Sequence, residues 1–347
     1  MLDRPLISLF IGLVLVAAIA LLVWPQHGWL DRRRRLRRQN MRILTEDALK
    51  SLVKAEIDGR EASVTVLGGI LQVGQDTIAV VLKEMEMNGL VFWTEDRPEL
   101  TPEGREYGLH MLRAHRLLER QLADKTGYSE TDWHTLADHQ EHGLSKEQVE
   151  ELSSTLGNPT YDPHGDPIPT SDGTVEPHGG KPITRFDAGD HLSIVHIEDE
   201  PEAVYAQLVA EGLRPGMEVH LLDKKPERIS FWSEGEEHIL APLLANNISV
   251  IPIPEEEASQ PYEAERLSDL KPGESARVIR IAQAIRGPAR RRLLDLGLTP
   301  GTLVEAELEA MGGDPVGYRI RGATIALREK QAKRVQITRS KEDAATD

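Results

Sequence analysis

The spacing of apolar residues changes twice along the chain. Residues 6–24, LISLFIGLVLVAAIALLVW, run for nineteen positions without a charge. At about 1.5 Å per residue this nearly matches a hydrocarbon core of roughly 30 Å. The run predicts a membrane-spanning helix. From residue 41 to about 157 the spacing is helical. RILTEDALKSLVKAEI (42–57) carries apolar residues on one face behind Thr45, a cap candidate. SVTVLGGIL, a short QVG turn and QDTIAVVLKEMEMNGLV then read as helix, turn and helix, stopped at Gly89. An apolar strand LVFW, a charged turn TEDRPE and the start of another helix at LTPEGREYG follow. Helix–turn–helix plus a hairpin is the winged-helix layout.

Further helices are predicted over 102–126, 129–140 and 146–156. The stretch GNPTYDPHGDPIPTSDGTVEPHGGKP (157–182) is rich in Pro and Gly and reads as a linker. After it the pattern turns to short strands and repeats itself. LVAEGLRPGMEV (208–219) and LLDLGLTPGTLV (293–304) share L-x-x-x-G-L-x-P-G-x-x-V at an offset of 85 residues. The prediction is a multidomain α+β protein. Its parts are an anchor with a basic juxtamembrane segment (1–40), a winged helix–turn–helix (41–101) and a helical domain (102–157). A Pro/Gly linker (158–182), a small β-barrel (183–254), a second linker (255–266), a second barrel (267–338) and a disordered tail (339–347) complete it.

Charge restricts the function. The chain has 347 residues and a formal charge of −16, so any contact with nucleic acid must use a local patch. It has no Cys, which removes disulfides and thiolate metal sites and leaves only N and O ligands. The basic run DRRRRLRR (31–38) follows the apolar segment, against a single Arg4 before it. Basic residues stay on the cytoplasmic side. The expectation is therefore a single-pass protein of the cell membrane with its bulk in the cytoplasm. A cleaved signal peptide is the rival reading, opposed by the length of the run and the cluster behind it. The same arginines suit anionic lipid headgroups or DNA phosphates.

The chemistry concentrates in HTLADHQEH (134–142). On a helix, positions i, i+4, i+7 and i+8 share a face, which groups His134, Asp138, Glu141 and His142 and turns His139 elsewhere. HRLLE, one helix earlier, carries His115 and Glu119 at i, i+4. Taken singly, each residue reads as a solvated surface group. Two antiparallel helices joined by a short loop can bring both sets around one cation. Imidazole and carboxylate ligands without thiolate suit Mn(2+) or Fe(2+), with Zn(2+), Co(2+) or Ni(2+) able to compete by affinity.

LTPEGREYGLHMLRAHRLLERQLADKTGY, WHTLADHQEHGLS and LGNPTYDPHGDPIP, in that order after a winged helix–turn–helix, resemble the diphtheria toxin repressor and manganese transport regulator family. The likeness covers about 42–169. It implies a dimeric transcriptional repressor activated by a divalent metal. Each β-rich repeat resembles the SH3-like ferrous-iron-transport A-type (FeoA) domain; a second copy and a membrane anchor depart from the family pattern. By the resemblance, His115, Glu119 and His134 match ligands of one metal centre. Asp138, Glu141, His142 and Asp47 match those of the other. Carboxylates at Asp47 and Asp138, where iron-type members carry a thioether and often Cys, lean towards manganese-like ligation. Lys50 stands where manganese-type members carry an acid. Iron-type members also take ligands from the SH3-like domain; the acidic run 198–202 lies near that place but out of register. A cation joining Asp47 to the other ligands would fix the reading head against the dimer core and convert metal affinity into DNA affinity.

The resemblance places 75–82 in the major groove, with Gln75 and Thr77 at base edges and Lys83 on phosphate. Ala79 and Val80 replace polar readers, and Asp76 repels phosphate. This motivates the alternative: a membrane-tethered metal sensor or iron-transport accessory acting through a protein partner of its SH3-like domains, without DNA. An enzyme is not expected, because no separate nucleophile or phosphate loop accompanies the ligands.

Overall fold

The computed structural model describes residues 29–254, 265–282, 285 and 287–339, with side chains from Asn40 onward. The predicted membrane span lies outside the described residues. Among the described residues no single helix is long and apolar enough to cross a membrane. The chain divides into two units, Met1–Arg113 and Ala114–Asp347.

The first unit opens on α1 (Trp29–Ile57), whose backbone helix takes in the basic run 31–38. α2 (Val64–Ile70) begins at Ser63, whose hydroxyl accepts the Val66 N–H at 3.3 Å. A tight turn then leads into α3 (Gln75–Met87). The pattern predicted this break, because Gly74 and the polar turn interrupt the apolar spacing. β1 (Val91–Thr94) and β2 (Arg97–Leu100) form the antiparallel wing, with Val91 opposite Leu100. Thr101 ties the wing to the next helix: its hydroxyl donates to Gly89 O at 2.7 Å and accepts the Gly104 N–H at 3.0 Å. Leu49, Leu52, Leu67, Ile78, Val81, Leu82, Met85 and Val91 make the core. α4 (Pro102–Lys125) follows, and the division between the units falls within it. Leu109, Leu112 and Leu117 are all buried within the single chain.

In the second unit the rest of α4 packs with α5 (Trp133–Glu141) and α6 (Lys146–Thr155). Leu118, Leu122, Trp133 and Ala137 form one apolar cluster; Ala114, Leu117, Val149 and Ile168 form another. Ser145 and Gln148 make a reciprocal capping box on α6. The segment read as a linker is not free chain. Asp162, His164 and Ile168 are buried. Asp162 Oδ1 accepts three backbone N–H groups, from His164, Gly165 and Asp166, at 2.8 to 2.9 Å. Arg116 of α4 donates to Asp166 Oδ1 at 3.0 Å and to Pro167 O. Gly165 has φ +96°, and a Cβ there would meet Val195 O at 2.0 Å, so only glycine fits the approach. Composition sees the Pro and Gly but not the buried arginine that organises them.

Two β-rich domains follow with one topology. The first holds β3 (Lys181–Pro182), β4 (His191–Ile197), α7 (Glu202–Ala210), β5 (Glu218–Lys224), β6 (Ile229–Ser233), β7 (Glu236–Leu240), α8 (Pro242–Ala245) and β8 (Ile248–Pro252). The second holds β9 (Glu265–Arg266), β10 (Ser275–Ile281), α9 (Gly287–Asp295), β11 (Leu303–Glu309), β12 (Val316–Ile320), β13 (Ala323–Leu327), α10 (Glu329–Ala332) and β14 (Val335–Thr338). The strand orders are β3-β8-β4-β5-β6-β7 and β9-β14-β10-β11-β12-β13. Register shifts fall at Leu221/Asp223 in one and Ala306/Leu308 in the other, the spacing of the sequence repeat. The expected SH3-like barrels are not closed. Each is an open six-stranded antiparallel sheet, because β3 and β9 are two residues long and pair only with β8 and β14.

Gly108 supplies a test of the first unit. A Cβ there would lie 2.5 Å from Val53 Cγ2 and 2.8 Å from Leu49 O, whereas one at Gly69 meets nothing. Gly108→Ala should therefore destabilise by about 1–3 kcal/mol. Gly69→Ala, inside α2, should be neutral or stabilise by up to about 1 kcal/mol. Urea unfolding followed by helical circular dichroism reads both, and equal midpoints for the two variants would contradict the packing.

Candidate metal centre

α4 places His115 and Glu119 one turn apart, and α5 places His134 beside them. His115 Nε2 lies 3.0 Å from Glu119 Oε1 and 3.2 Å from His134 Nδ1, and His134 Nδ1 lies 3.1 Å from the same carboxylate oxygen. Two imidazole nitrogens and a carboxylate oxygen thus converge on one small space. His115 and Glu119 are 5% and 1% exposed, so water supplies little of their solvation. The opposite edge of His115 is held by α5: Nδ1 is 2.6 Å from Glu141 Oε2 and 3.2 Å from Asp138 Oδ1. An N–H donated from Nδ1 to Glu141 fixes the ring orientation and turns Nε2 towards Glu119 and His134.

Two residues from outside the helices complete the cluster. Asp199, in the loop before α7, brings Oδ2 to 3.3 Å from His134 Nδ1, and Glu200 Oε1 is 3.9 Å from His134 Nε2. His164 is 2% exposed, and neither ring nitrogen has a hydrogen-bond partner among the described residues. Ligand atoms of Glu119, His164 and Asp199 lie within 4.8 Å of one another, as do those of His115, Glu119 and His134 and of His115, Asp138 and Glu141. A buried imidazole with two empty nitrogens beside two carboxylates is the donor set a divalent cation would satisfy.

Electrostatics agree with the geometry. Burial pushes the Glu119 carboxyl up, but the charge of His115 and hydrogen bonds from His115 and His134 hold it well below the ordinary range. Burial pushes His134 down, yet hydrogen bonds to Asp199 and Glu119 raise it to about 10. Without metal a proton therefore sits where a cation would, holding the carboxylates together.

Of the residues expected at the site, His115, Glu119, His134, Asp138 and Glu141 come together. His142 follows α5 with Nε2 4.0 Å from Glu141 Oε1, and His139 is exposed, turned away as the helix period requires. Asp47 lies half-buried on α1 in the first unit. His164, Asp199 and Glu200 were missed. His164 sat inside a segment read as linker. The acidic run 198–202 is out of register with the family's ligand position, yet the turn before α7 brings its Asp199 and Glu200 to His134. Gln75, Thr77 and Lys83 are exposed on α3, opposite its buried Ile78, Val81, Leu82 and Met85.

Residues 101–170 match the family described as iron dependent repressor, metal binding and dimerisation domain, and residues 265–339 match the FeoA domain. The chain is similar to iron-dependent repressors. It is 29% identical to the diphtheria toxin repressor of Corynebacterium diphtheriae over 217 residues, 59% of this chain and 96% of that protein. It is 27% identical to the iron-dependent repressor IdeR of Mycobacterium tuberculosis over 215 residues, covering 57% and 92%. A manganese-dependent transcriptional repressor solved in complex with manganese superposes with a TM-score of 0.56 at 28% identity, covering 60% of this chain and all of that one.

Two measurements probe this iron-repressor-like centre. A cation must displace the His134 proton, so Mn(2+) affinity should rise as pH rises from 6 towards about 10, by about tenfold per unit for each proton displaced, with release of proton to the buffer. The same proton stabilises the metal-free fold below about pH 6.5, and that stabilisation is lost as pH climbs through about 10. Calorimetry in buffers of different ionisation enthalpy reads the proton; a pH-independent affinity would contradict the arrangement. His164→Phe, which removes two unsatisfied buried nitrogens, should hold or raise the melting temperature of the metal-free protein while weakening Mn(2+) binding at least about tenfold. Unchanged metal affinity would place His164 outside the centre.

Proposed function

We propose that the chain is a divalent-metal-dependent, DNA-binding transcriptional regulator of the repressor type, serving metal homeostasis. The observation that carries the reading is the convergence of His115 Nε2, Glu119 Oε1 and His134 Nδ1 within 3.2 Å on the domain that matches the repressors' metal-binding and dimerisation region. His115, Glu119 and His134, with His164 and Asp199, would hold one cation. Asp138, Glu141 and His142 serve a second, to which the resemblance adds Asp47. Ligation by N and O atoms without thiolate favours Mn(2+) or Fe(2+). When bound, the cation supplies positive charge that replaces the His134 proton and draws α4, α5 and the loops of His164 and Asp199 into one arrangement. DNA then binds the ordered state better, and reciprocity makes DNA tighten metal binding by the same factor.

In this reading the protein works as a homodimer, and α3 enters the major groove with Gln75 and Thr77 at base edges and Lys83 at phosphate. The apolar segment 6–24 and the arginines behind it hold the chain at the cytoplasmic face of the cell membrane, which supports a membrane-tethered regulator. The two β-rich domains offer surfaces for a protein partner.

One observation favours a second reading, a tethered metal sensor without DNA. The exposed face of α3 carries Asp76, Glu84 and Glu86 against Lys83 alone. Fluorescence anisotropy of a duplex from the chain's own upstream region, titrated with Mn(2+), separates the two. DNA affinity should rise about 5- to 150-fold with metal, and His134→Ala should abolish the rise without unfolding the protein. Metal binding with no DNA affinity at any salt concentration would select the sensor.

A further inference from the structure

The two β-rich domains share a fold and differ in charge. Residues 183–254 hold 5 Lys and Arg against 13 Asp and Glu; residues 265–339 hold 15 against 9. The helix at the equivalent place shows the divergence most clearly. α7, EAVYAQLVA, has no basic residue, and its Tyr205 ring lies 5.0 Å from that of His164. α9, GPARRRLLD, carries Arg290, Arg291 and Arg292. Arg290 Nη1 donates to Ile281 O and Ala282 O at 3.3 and 3.4 Å, and Ala282 N–H donates to Arg334 O at 2.7 Å. Arg290 and Arg334 therefore border one point, the exit of β10. Arg291, Arg292 and Arg334 are exposed, and no carboxylate among the described residues pairs with them. Other cations of the domain are paired: Arg319 with Glu307, Lys333 with Glu329 and Arg339 with Glu265.

The reading head has the opposite problem. Residues 41–101 hold 6 Lys and Arg against 11 Asp and Glu. Phosphate contacts dominate the affinity of proteins for DNA, and each released counterion contributes about 0.9 to the salt slope. With the arginines of 31–38 assigned to the membrane face in the reading above, a head with that balance supplies few of them. Guanidinium groups match phosphate with paired N–H donors and keep their charge at any working pH.

We propose that the second FeoA-type domain is a DNA-phosphate-binding module, with Arg291, Arg292 and Arg334 as its contacts. This rests on the DNA-binding reading above and adds the source of its electrostatic affinity. Phosphate contacts carry no base preference, so the domain tightens binding to every sequence equally while α3 selects among them.

The test uses the full chain in zwitterionic detergent with saturating Mn(2+). Anisotropy is read on a duplex of about 40 base pairs from its own upstream region and on a scrambled duplex, from about 50 to 300 mM salt. The triple variant Arg291→Ala, Arg292→Ala, Arg334→Ala should lose about 10- to 100-fold in affinity on both duplexes. Its slope of log K against log salt should fall by about 2 to 3. The corresponding triple Lys variant should recover most of the slope, and circular dichroism should show both variants folded. If the wild type binds in a metal-dependent way and the Ala variant keeps its affinity and slope, the module is overturned and the regulator reading stands. No DNA binding by the wild type overturns both. Loss of binding to phosphatidylserine vesicles with DNA binding intact overturns the module in favour of a lipid-facing surface.

Discussion

Three electronegative atoms pressed together, two of them on buried side chains, are the constraint that organises the second unit. Glu119 is 1% exposed, with two imidazole nitrogens within 3.1 Å of one of its oxygens. Without positive charge this arrangement costs several kcal/mol in desolvation and repulsion. A proton on His134 offsets that cost, as its raised proton affinity records, and a divalent cation would do so more completely. Everything that must come close to supply the ligands is thereby coupled: α4, α5, the Asp162–Pro169 loop and the loop before α7. The domain is responsive because one charge is needed and more than one species can provide it.

The loop 162–169 shows how such a centre is supported from behind. Arg116 sits on α4 one residue after His115 and faces the other way, where it gathers Asp166 and Pro167. Asp162 closes the turn on three backbone amides and delivers His164 into the space beside Glu119. Gly165 lets that turn approach the β4 backbone within a distance no side chain permits. Two adjacent residues of one helix thus serve the centre in different ways: one faces it and the other positions its neighbours.

Duplication of the β-rich domain separates fold from use. Both copies keep strand order, bulge position and a one-sided apolar core. In the first copy the loop before its helix reaches His134, and the helix itself contacts the His164 ring. In the second copy the helix starts at Gly287, close against the Ala123 carbonyl of α4, and the rest of its surface has become a row of arginines. A packed interior restricts what can change, whereas exposed charge is free to diverge.

Local order along the chain settled a large part of this protein. The 3.6-residue period set α2 to α6 and the second half of α1, which begins at Trp29 and runs through the predicted cap at Thr45. Polar breaks at Gly74 and Gly89 set the helix–turn–helix and its wing, and the L-x-x-x-G-L-x-P-G repeat set two equivalent β domains. The pairing of His115 with Glu119, and the shared face of His134, Asp138 and Glu141, followed from the same period, because side chains four apart on a helix must be neighbours. The tertiary structure decided what involves residues far apart in the chain. It turned a Pro- and Gly-rich stretch into a buried loop around Arg116, which composition cannot show because the ordering partner lies some fifty residues away. It brought in His164 and Asp199, whose positions depend on that loop and on the turn before α7 rather than on any helical spacing. It also left the β sheets open, because edge strands two residues long offer too few backbone groups for closure.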